Sequence, residues 1–247
     1  MDIIKSDETL DDLQLKGIKV IQKKEGFRFG VDAVMLANFS KVKRNHRVID
    51  LCTGTGIIPF IISGKTECKN ILGIEIQKEF VDMANRTSNL NNLNDRVKFL
   101  EGDLTNINML KKIEKADVIT VNPPYKLFNS GIVNPTDRLA IARHEVCCNL
   151  EDVIVAARIL LKDNGRFFMV HRPDRLADIF TVMRKHKIEP KRVRMVHPVP
   201  NKAPNIVLVE GQRDGGAFLK WDDPLNVHNA DGTYSDEIIK MYNSDSI

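Results

Sequence analysis

The feature of this sequence that most constrains its fold is an alternation of short apolar runs and helical segments that begins at His46. The runs are as short as Val48–Leu51, and amphipathic stretches such as Leu150–Leu161 lie between them. This alternation predicts a parallel sheet covered by helices on both faces. The last two runs, Lys191–Val199 and Asn205–Glu210, have little between them, which predicts an antiparallel pair. We therefore predict a doubly wound, Rossmann-like α/β fold, with a mostly parallel seven-stranded sheet and one antiparallel edge strand.

The length of 247 residues fits one such domain with small extensions. We predict an N-terminal extension over residues 1–40, the sheet domain over 41–215 and a C-terminal tail over 216–247. The polar start, Met1–Leu15, is expected to be loosely ordered. No segment approaches the roughly 20 apolar residues of a membrane span, and we expect a cytoplasmic protein without a signal peptide. The four cysteines lack the spacing of a metal site, so we expect reduced thiols and no metal.

A glycine-rich turn, Asp50–Gly56, follows the first apolar run of the alternation and opens a helix. Gly54 and Gly56 allow tight backbone geometry and close approach of a ligand, and Thr53 lies beside them. Pro59 occupies the position of the third glycine of a dinucleotide fingerprint. The Asp50 carboxylate suits a cationic amine and repels a pyrophosphate. The turn therefore favours S-adenosylmethionine, which carries an amine and a sulfonium, over a nicotinamide dinucleotide.

Two further acidic residues end the next two predicted strands. Glu75 lies 21 positions after Gly54, where a carboxylate can accept hydrogen bonds from ribose hydroxyls. Asp103 ends the third strand and can accept from an adenine amino group, while Leu104 supplies a backbone donor and packing. Since the carboxyl ends of parallel strands meet at one end of a sheet, these groups should converge on one crevice.

The most informative motif is Asn122-Pro123-Pro124-Tyr125, which ends the fourth predicted strand. The Asn122 amide oxygen and the Pro123 carbonyl oxygen can accept both hydrogens of one planar NH2 group. Such acceptors stabilise the positive charge that develops when a weakly nucleophilic adenine amine attacks a methyl group. Tyr125 can stack on the flat base. The motif predicts methyl transfer to an amine or amide nitrogen.

Basic residues cluster late in the chain. The net charge is only +4, but Lys191, Arg192 and Arg194 lie in a segment with few acids, and a second group occupies Lys41–Arg47. Clustered cations of this kind suit a surface that follows phosphates. We therefore predict a nucleic-acid partner.

Together these motifs resemble those of class I amino-methyltransferases. The stretch Phe27–Ala33 narrows the likeness to the bacterial tRNA adenine-N6 methyltransferases, which act on a valine tRNA, and the resemblance covers about Leu13 to Arg213. It implies that Phe29 to Asp32 close over the methionine end of the cofactor or over the target base. We predict cofactor contacts from Asp50, Thr53, Gly54, Gly56, Glu75, Asp103, Leu104 and Asn122. We predict catalytic roles for Asn122, Pro123 and Tyr125, and substrate contacts from Phe29, Asp32, Tyr125, Lys191, Arg192 and Arg194.

Two alternatives remain open at this point. The Asn-Pro-Pro-Tyr motif is shared with enzymes that methylate a glutamine amide in a translation factor, although those usually carry an extra helical N-terminal domain. A non-catalytic RNA-binding protein that retains a cofactor pocket is the second alternative. The preferred prediction is S-adenosylmethionine-dependent methylation of an adenine N6 amine in tRNA or another structured RNA, by a monomer.

Overall fold

The computed structural model describes residues 3–25, 30–123 and 148–242. It begins with an antiparallel hairpin of β1 (Glu8–Asp12) and β2 (Lys19–Lys23). The expectation that Met1–Leu15 is loosely ordered is wrong for β1. Glu8 is buried and accepts from the Arg86 guanidinium at 2.6 Å, which fastens the hairpin to the main domain. A polar strand of this kind is stabilised by that long-range ion pair and carries no local apolar pattern.

One mixed sheet of nine strands forms the centre of the molecule. Its strands are, in chain order, β3 (Arg47–Leu51), β4 (Asn70–Glu75), β5 (Val97–Glu101), β6 (Ala116–Val121), β7 (Leu161–His171), β8 (Ile188–His197), β9 (Ile206–Arg213), β10 (Lys220–Trp221) and β11 (Leu225–Asn226). The spatial order is β5-β4-β3-β6-β7-β9-β8-β10, and β11 also pairs with β8. All pairings are parallel except those of β9 with β7 and β8.

Helices cover both faces of the sheet because successive strand residues point to opposite sides. Val48 packs into the core beneath one set of helices and Ile49 into the core beneath the other. The first face carries α1 (Val31–Phe39), α2 (Ile57–Lys65), α3 (Lys78–Leu90) and α7 (Asp236–Tyr242). The second carries α4 (Ile107–Leu110), α5 (Leu150–Leu160) and α6 (Leu176–Lys185). A capping box between Asn149 and Asp152 fixes the start of α5.

The predicted doubly wound α/β class is confirmed, with two differences in detail. The antiparallel strand β9 lies between β7 and β8 and is not an edge strand. The short strands β10 and β11, each of two residues, bring the strand count above seven by adding to the outer side of β8. Strands this short carry too little apolar pattern to be predicted. They lie in the segment 216–247 that we expected as a tail.

The strand order reverses between β3 and β6, and this reversal positions the candidate site. In open α/β sheets a crevice forms at such a point, outside the carboxyl ends of the strands. The glycine turn at residues 52–56 follows β3 and Asn122 follows β6, so both lie at the crevice. Within the described ranges, no helix combines the length and apolar character needed to cross a lipid bilayer.

Candidate active site

The glycine turn after β3 is built on left-handed backbone conformations. Gly54 has φ of 56° and Gly56 has φ of 85°, and Cys52 in the same turn has φ of 53°. A Cβ on Gly56 would lie 2.5 Å from the Phe99 ring, so only glycine fits there. A Cβ on Gly54 would meet nothing within 4 Å. The turn is therefore packed against the sheet at Gly56 and open to the crevice at Gly54, as close approach of a ligand requires.

Asp50 has a different place from the one that the sequence suggested. Its side chain is fully buried, and both carboxyl oxygens accept hydroxyl hydrogen bonds at 2.6 Å, one from Thr53 and one from Thr120. Burial raises the pKa of Asp50 to about 7, against the lowering effect of these two bonds. Asp50 thus joins the glycine turn to β6, and its predicted contact with the cofactor stays a prediction. Thr120 was not predicted, although a threonine in the apolar run before Asn122 is a signal that could have indicated it.

Glu75 and Asp103 lie at the crevice as predicted from their strand ends. Glu75 is 2% exposed, and its oxygens accept from the Gly54 N–H at 2.9 Å and the Gln77 N–H at 3.0 Å. Oε1 also accepts from the Gln77 side-chain amide at 3.5 Å, whereas Oε2 keeps a second lone pair to which a ribose hydroxyl could donate. Asp103 accepts from Thr105 through Oδ1, and its Oδ2 makes no hydrogen bond within the described residues. The Leu104 side chain is buried in the core beside it. These hydrogen-bond acceptors fit a nucleoside, whose hydroxyl and amino groups are donors.

The acceptor motif begins directly after β6. Leu51 on β3 is in register with Val121 on β6, so Asn122 follows at the level of the glycine turn. Asn122 is half-buried and Pro123 is buried. The thiol of Cys52 in the turn lies 3.9 Å from that of Cys148, just before α5. Both Pro123 and Cys148, which bound residues 124–147, therefore lie beside this site.

Of three other predicted site residues, only Asp32 lies in the part of the chain that the structure describes. Tyr125 and Phe29 lie outside the described residues. Asp32 lies in the first turn of α1 and is half-buried. The predicted cofactor group thus comes together around the β3–β6 crevice, and the contacts of this group with a cofactor stay a prediction.

Comparison with known proteins identifies the family. A family model described as a methyltransferase domain matches residues 42–208. The chain belongs to this family. The match begins just before β3 and ends within β9, so it contains the whole crevice.

Similar proteins match this chain over nearly their full length. A protein of Porphyromonas gingivalis is 27% identical over 94% of this chain and 93% of that protein, and one of Tolumonas auensis is 25% identical over 92% of each. Both are named tRNA1(Val) (adenine(37)-N6)-methyltransferase. Among solved structures, a predicted O-methyltransferase of Agrobacterium tumefaciens has a TM-score of 0.71 at 20% identity, covering 87% of this chain and 97% of that one. The shared fold is thus that of a methyltransferase.

The predicted RNA-contacting arginines of this methyltransferase have structural partners. Arg192 is 14% exposed and forms ion pairs with Glu210 at 2.6 Å and Asp222 at 2.9 Å, while its guanidinium lies 3.8 Å from the Phe39 ring centroid. Arg194 forms a two-pronged ion pair with Glu237. Phosphate contacts from these groups would require those pairs to break, and the predicted roles stay predictions. A local cluster of basic residues does not indicate which acidic residues, distant in sequence, form ion pairs with them.

Lys191 and the basic residues of segment 41–47 differ from these arginines. Lys191 forms no ion pair within the described residues, and its Nζ donates to the surface carbonyl of Gly216 at 2.9 Å. Lys41, Lys43 and Arg44 are exposed but precede β3, so they lie at the opposite end of the sheet from the methyltransferase crevice. Of the predicted basic residues, Lys191 remains suited to a surface contact.

Proposed function

We propose that this protein transfers the methyl group of S-adenosylmethionine to the exocyclic N6 amine of an adenine in a tRNA. The observation that carries the proposal is the position of Asn122 and Pro123 at the sheet reversal, level with the glycine turn. The names of relatives that match over most of the chain support the tRNA substrate. A cytoplasmic location and a monomeric state accompany the proposal as predictions.

The cofactor half of the site is formed by groups on three strand ends. Glu75 would accept from the ribose hydroxyls, and Oδ2 of Asp103 would accept from the adenine amino group. The open side of Gly54 leaves room for the rest of the molecule. When bound there, S-adenosylmethionine supplies an electrophilic methyl group on a sulfonium.

The acceptor half works by orienting one nitrogen. The lone pair of an adenine amine is delocalised into the ring, which makes the amine a weak nucleophile. The Asn122 side-chain oxygen and the Pro123 carbonyl oxygen accept its two hydrogens and stabilise the positive charge that develops on nitrogen. The lone pair is then directed at the methyl carbon, and a proton leaves to water after transfer. Tyr125 is proposed to stack on the base, which is worth about 1–3 kcal/mol.

Asp50 and Thr120 position the two halves relative to each other. Thr120 lies two residues before Asn122 and donates to Asp50, which also accepts from Thr53 in the turn. Since well-oriented reactions gain about 7–11 kcal/mol from positioning, a rigid link between donor and acceptor sites is functionally valuable. These two residues act through others and touch neither reactant in this proposal.

A methyl-transfer assay with labelled S-adenosylmethionine tests the proposal. Total RNA, total protein and duplex DNA are offered separately to the parent and to Asn122→Ala. We expect label in the tRNA fraction as N6-methyladenosine, and a rate at least about 100-fold lower for Asn122→Ala with little change in cofactor affinity. Label on a glutamine amide of a protein would instead support the alternative acceptor. Equal rates for the two proteins would contradict the role of Asn122.

A further inference from the structure

A basic and aromatic surface lies at the β10 edge of the sheet, outside the crevice. It consists of Lys187, Lys191, Phe218, Lys220 and Trp221, which we call the β10 patch. Phe218 is 77% exposed and Trp221 is 57% exposed. We propose that the β10 patch binds the RNA substrate, with the two aromatic rings stacked on unpaired bases and with Lys187 and Lys191 at neighbouring phosphates. The proposal rests on the proposed function, because it assumes that the substrate is RNA.

Phe218 has a strained backbone conformation that is not offset by packing against the rest of the protein. Its φ is 126°, a region that residues with a Cβ rarely adopt. With most of its surface in water, the ring gains little from packing that would offset this strain. Strained and exposed aromatic side chains concentrate at binding surfaces, where a ligand supplies the missing contacts. Both observations on Phe218 therefore indicate a ligand with flat apolar faces.

The backbone beneath the patch is fixed, so its rings are presented in a defined place. Strand β10 pairs with β8, which puts Lys220 opposite Arg192 and Trp221 opposite Val193. The loop before β10 is tied down by the Asp214 N–H, which donates to the Lys187 carbonyl at 2.8 Å. The bond from Lys191 Nζ to the Gly216 carbonyl is a second tie. Preorganised rings lose little conformational freedom on binding.

The charge of the patch selects an anionic partner. Lys187 is exposed and has no acidic partner within the described residues. Asp222 pairs with Arg192 and Lys220, and Glu189 pairs with Arg184. Asp223 is exposed and forms no ion pair within the described residues, so the unpaired positive charge of the patch comes from Lys187 and Lys191. Lysines beside aromatic rings are the usual elements of a surface for single-stranded nucleic acid. A symmetric contact between two copies would instead bring identical lysines together, which disfavours self-association there.

The patch lies too far from Asn122 to hold the target adenine itself. Four strand spacings separate β6 from β10, or about 19 Å across the sheet, and Lys187 precedes β8 and so lies towards the end of the sheet opposite the crevice. The β10 patch would therefore contact nucleotides several positions away and supply affinity without touching the reacting atoms. Loss of such contacts should raise the KM for RNA and leave kcat unchanged at saturating substrate.

Trp221 is the single tryptophan of the chain and reports directly on the patch. We expect its fluorescence to be quenched when the parent protein is titrated with a tRNA transcript in the absence of methyl donor. In Phe218→Ala, which keeps the reporter, the apparent Kd should rise about 10-fold, as loss of one base stack predicts. Thermal stability should be nearly unchanged, because alanine also has a Cβ at this φ and the exposed ring makes little packing contact. For Phe218→Ala/Trp221→Ala the KM for tRNA should rise further.

The opposite edge of the sheet provides the matched control. Leu100 is 37% exposed and Lys98 is exposed on β5, the other outermost strand. Lys98→Ala/Leu100→Ala should leave both Kd and KM for tRNA unchanged. The inference is overturned if the double aromatic variant methylates tRNA with the KM of the parent, if tRNA binds without changing Trp221 fluorescence, or if the variant only abolishes a dimer of the parent. The first result would leave the proposed reaction intact, whereas a parent that methylates only protein would contradict the reaction itself.

Discussion

Charged residues have different roles in two regions of the sheet. One region is the carboxyl ends of strands β3 to β6, and the other is the outer strands β8 to β10. Around the crevice a few acidic side chains follow strand ends, and each bonds to the backbone or to hydroxyls. On the outer strands the arginines are numerous and bond mainly to acids that are distant in sequence. Position along a strand indicated which acidic residues lie at the crevice. Local charge density did not indicate the ion pairs that the arginines of the second region form.

The strongest test of this contrast is Arg192→Leu. Glu210 and Asp222 would lose their buried cation, and the free energy of unfolding should fall by about 3 kcal/mol. The neighbouring Lys191→Leu is the matched control and should change it by less than about 0.5 kcal/mol. Urea unfolding followed by circular dichroism measures both. If Arg192→Leu were as stable as the control but bound tRNA far more weakly, Arg192 would be an RNA contact after all.

The difference between the regions explains how much could be predicted from the sequence. Strand ends such as Glu75 and Asn122 are indicated by short apolar runs, and parallel topology alone brings them together. The burial of Asp50 could not be inferred, because it depends on the hydroxyl of Thr120, which is 70 positions away. The strand β1 and the partners of Arg192 depend likewise on contacts between distant segments. The strain at Phe218 is a backbone property that no local pattern indicates.

A second prediction tests the crevice itself. Glu75→Ala should weaken S-adenosylmethionine binding by about 2 kcal/mol, because charge-assisted hydrogen bonds to ribose hydroxyls are lost. Glu101 pairs with Glu75 in the parallel register but is exposed at the end of β5, so Glu101→Ala is the matched control. Titration calorimetry should show a large loss for the first variant and almost none for the second. Equal losses would mean that general negative charge, and not the Glu75 contact, attracts the cofactor.

The third prediction, with the smallest change per measured step, concerns the pH dependence that Asp50 gives to folding. Its pKa is about 7 in the folded protein and about 3.8 ordinarily, so the folded state binds one more proton between these values. Stability from this group is therefore complete at low pH and is lost as the pH rises towards 7, by about 1.4 kcal/mol per pH unit. Asp50→Asn cannot ionise, and the difference in unfolding free energy between parent and variant should change with that slope. In Thr120→Val the carboxylate loses one hydrogen bond that lowers its pKa, so the loss of stability should extend to higher pH.

Denaturant unfolding of all three proteins between pH 5 and pH 8 measures this pH dependence. A difference that is constant with pH would mean that Asp50 is solvated and points into the crevice, as the sequence first suggested, and the link between the two regions through Thr120 would then be wrong.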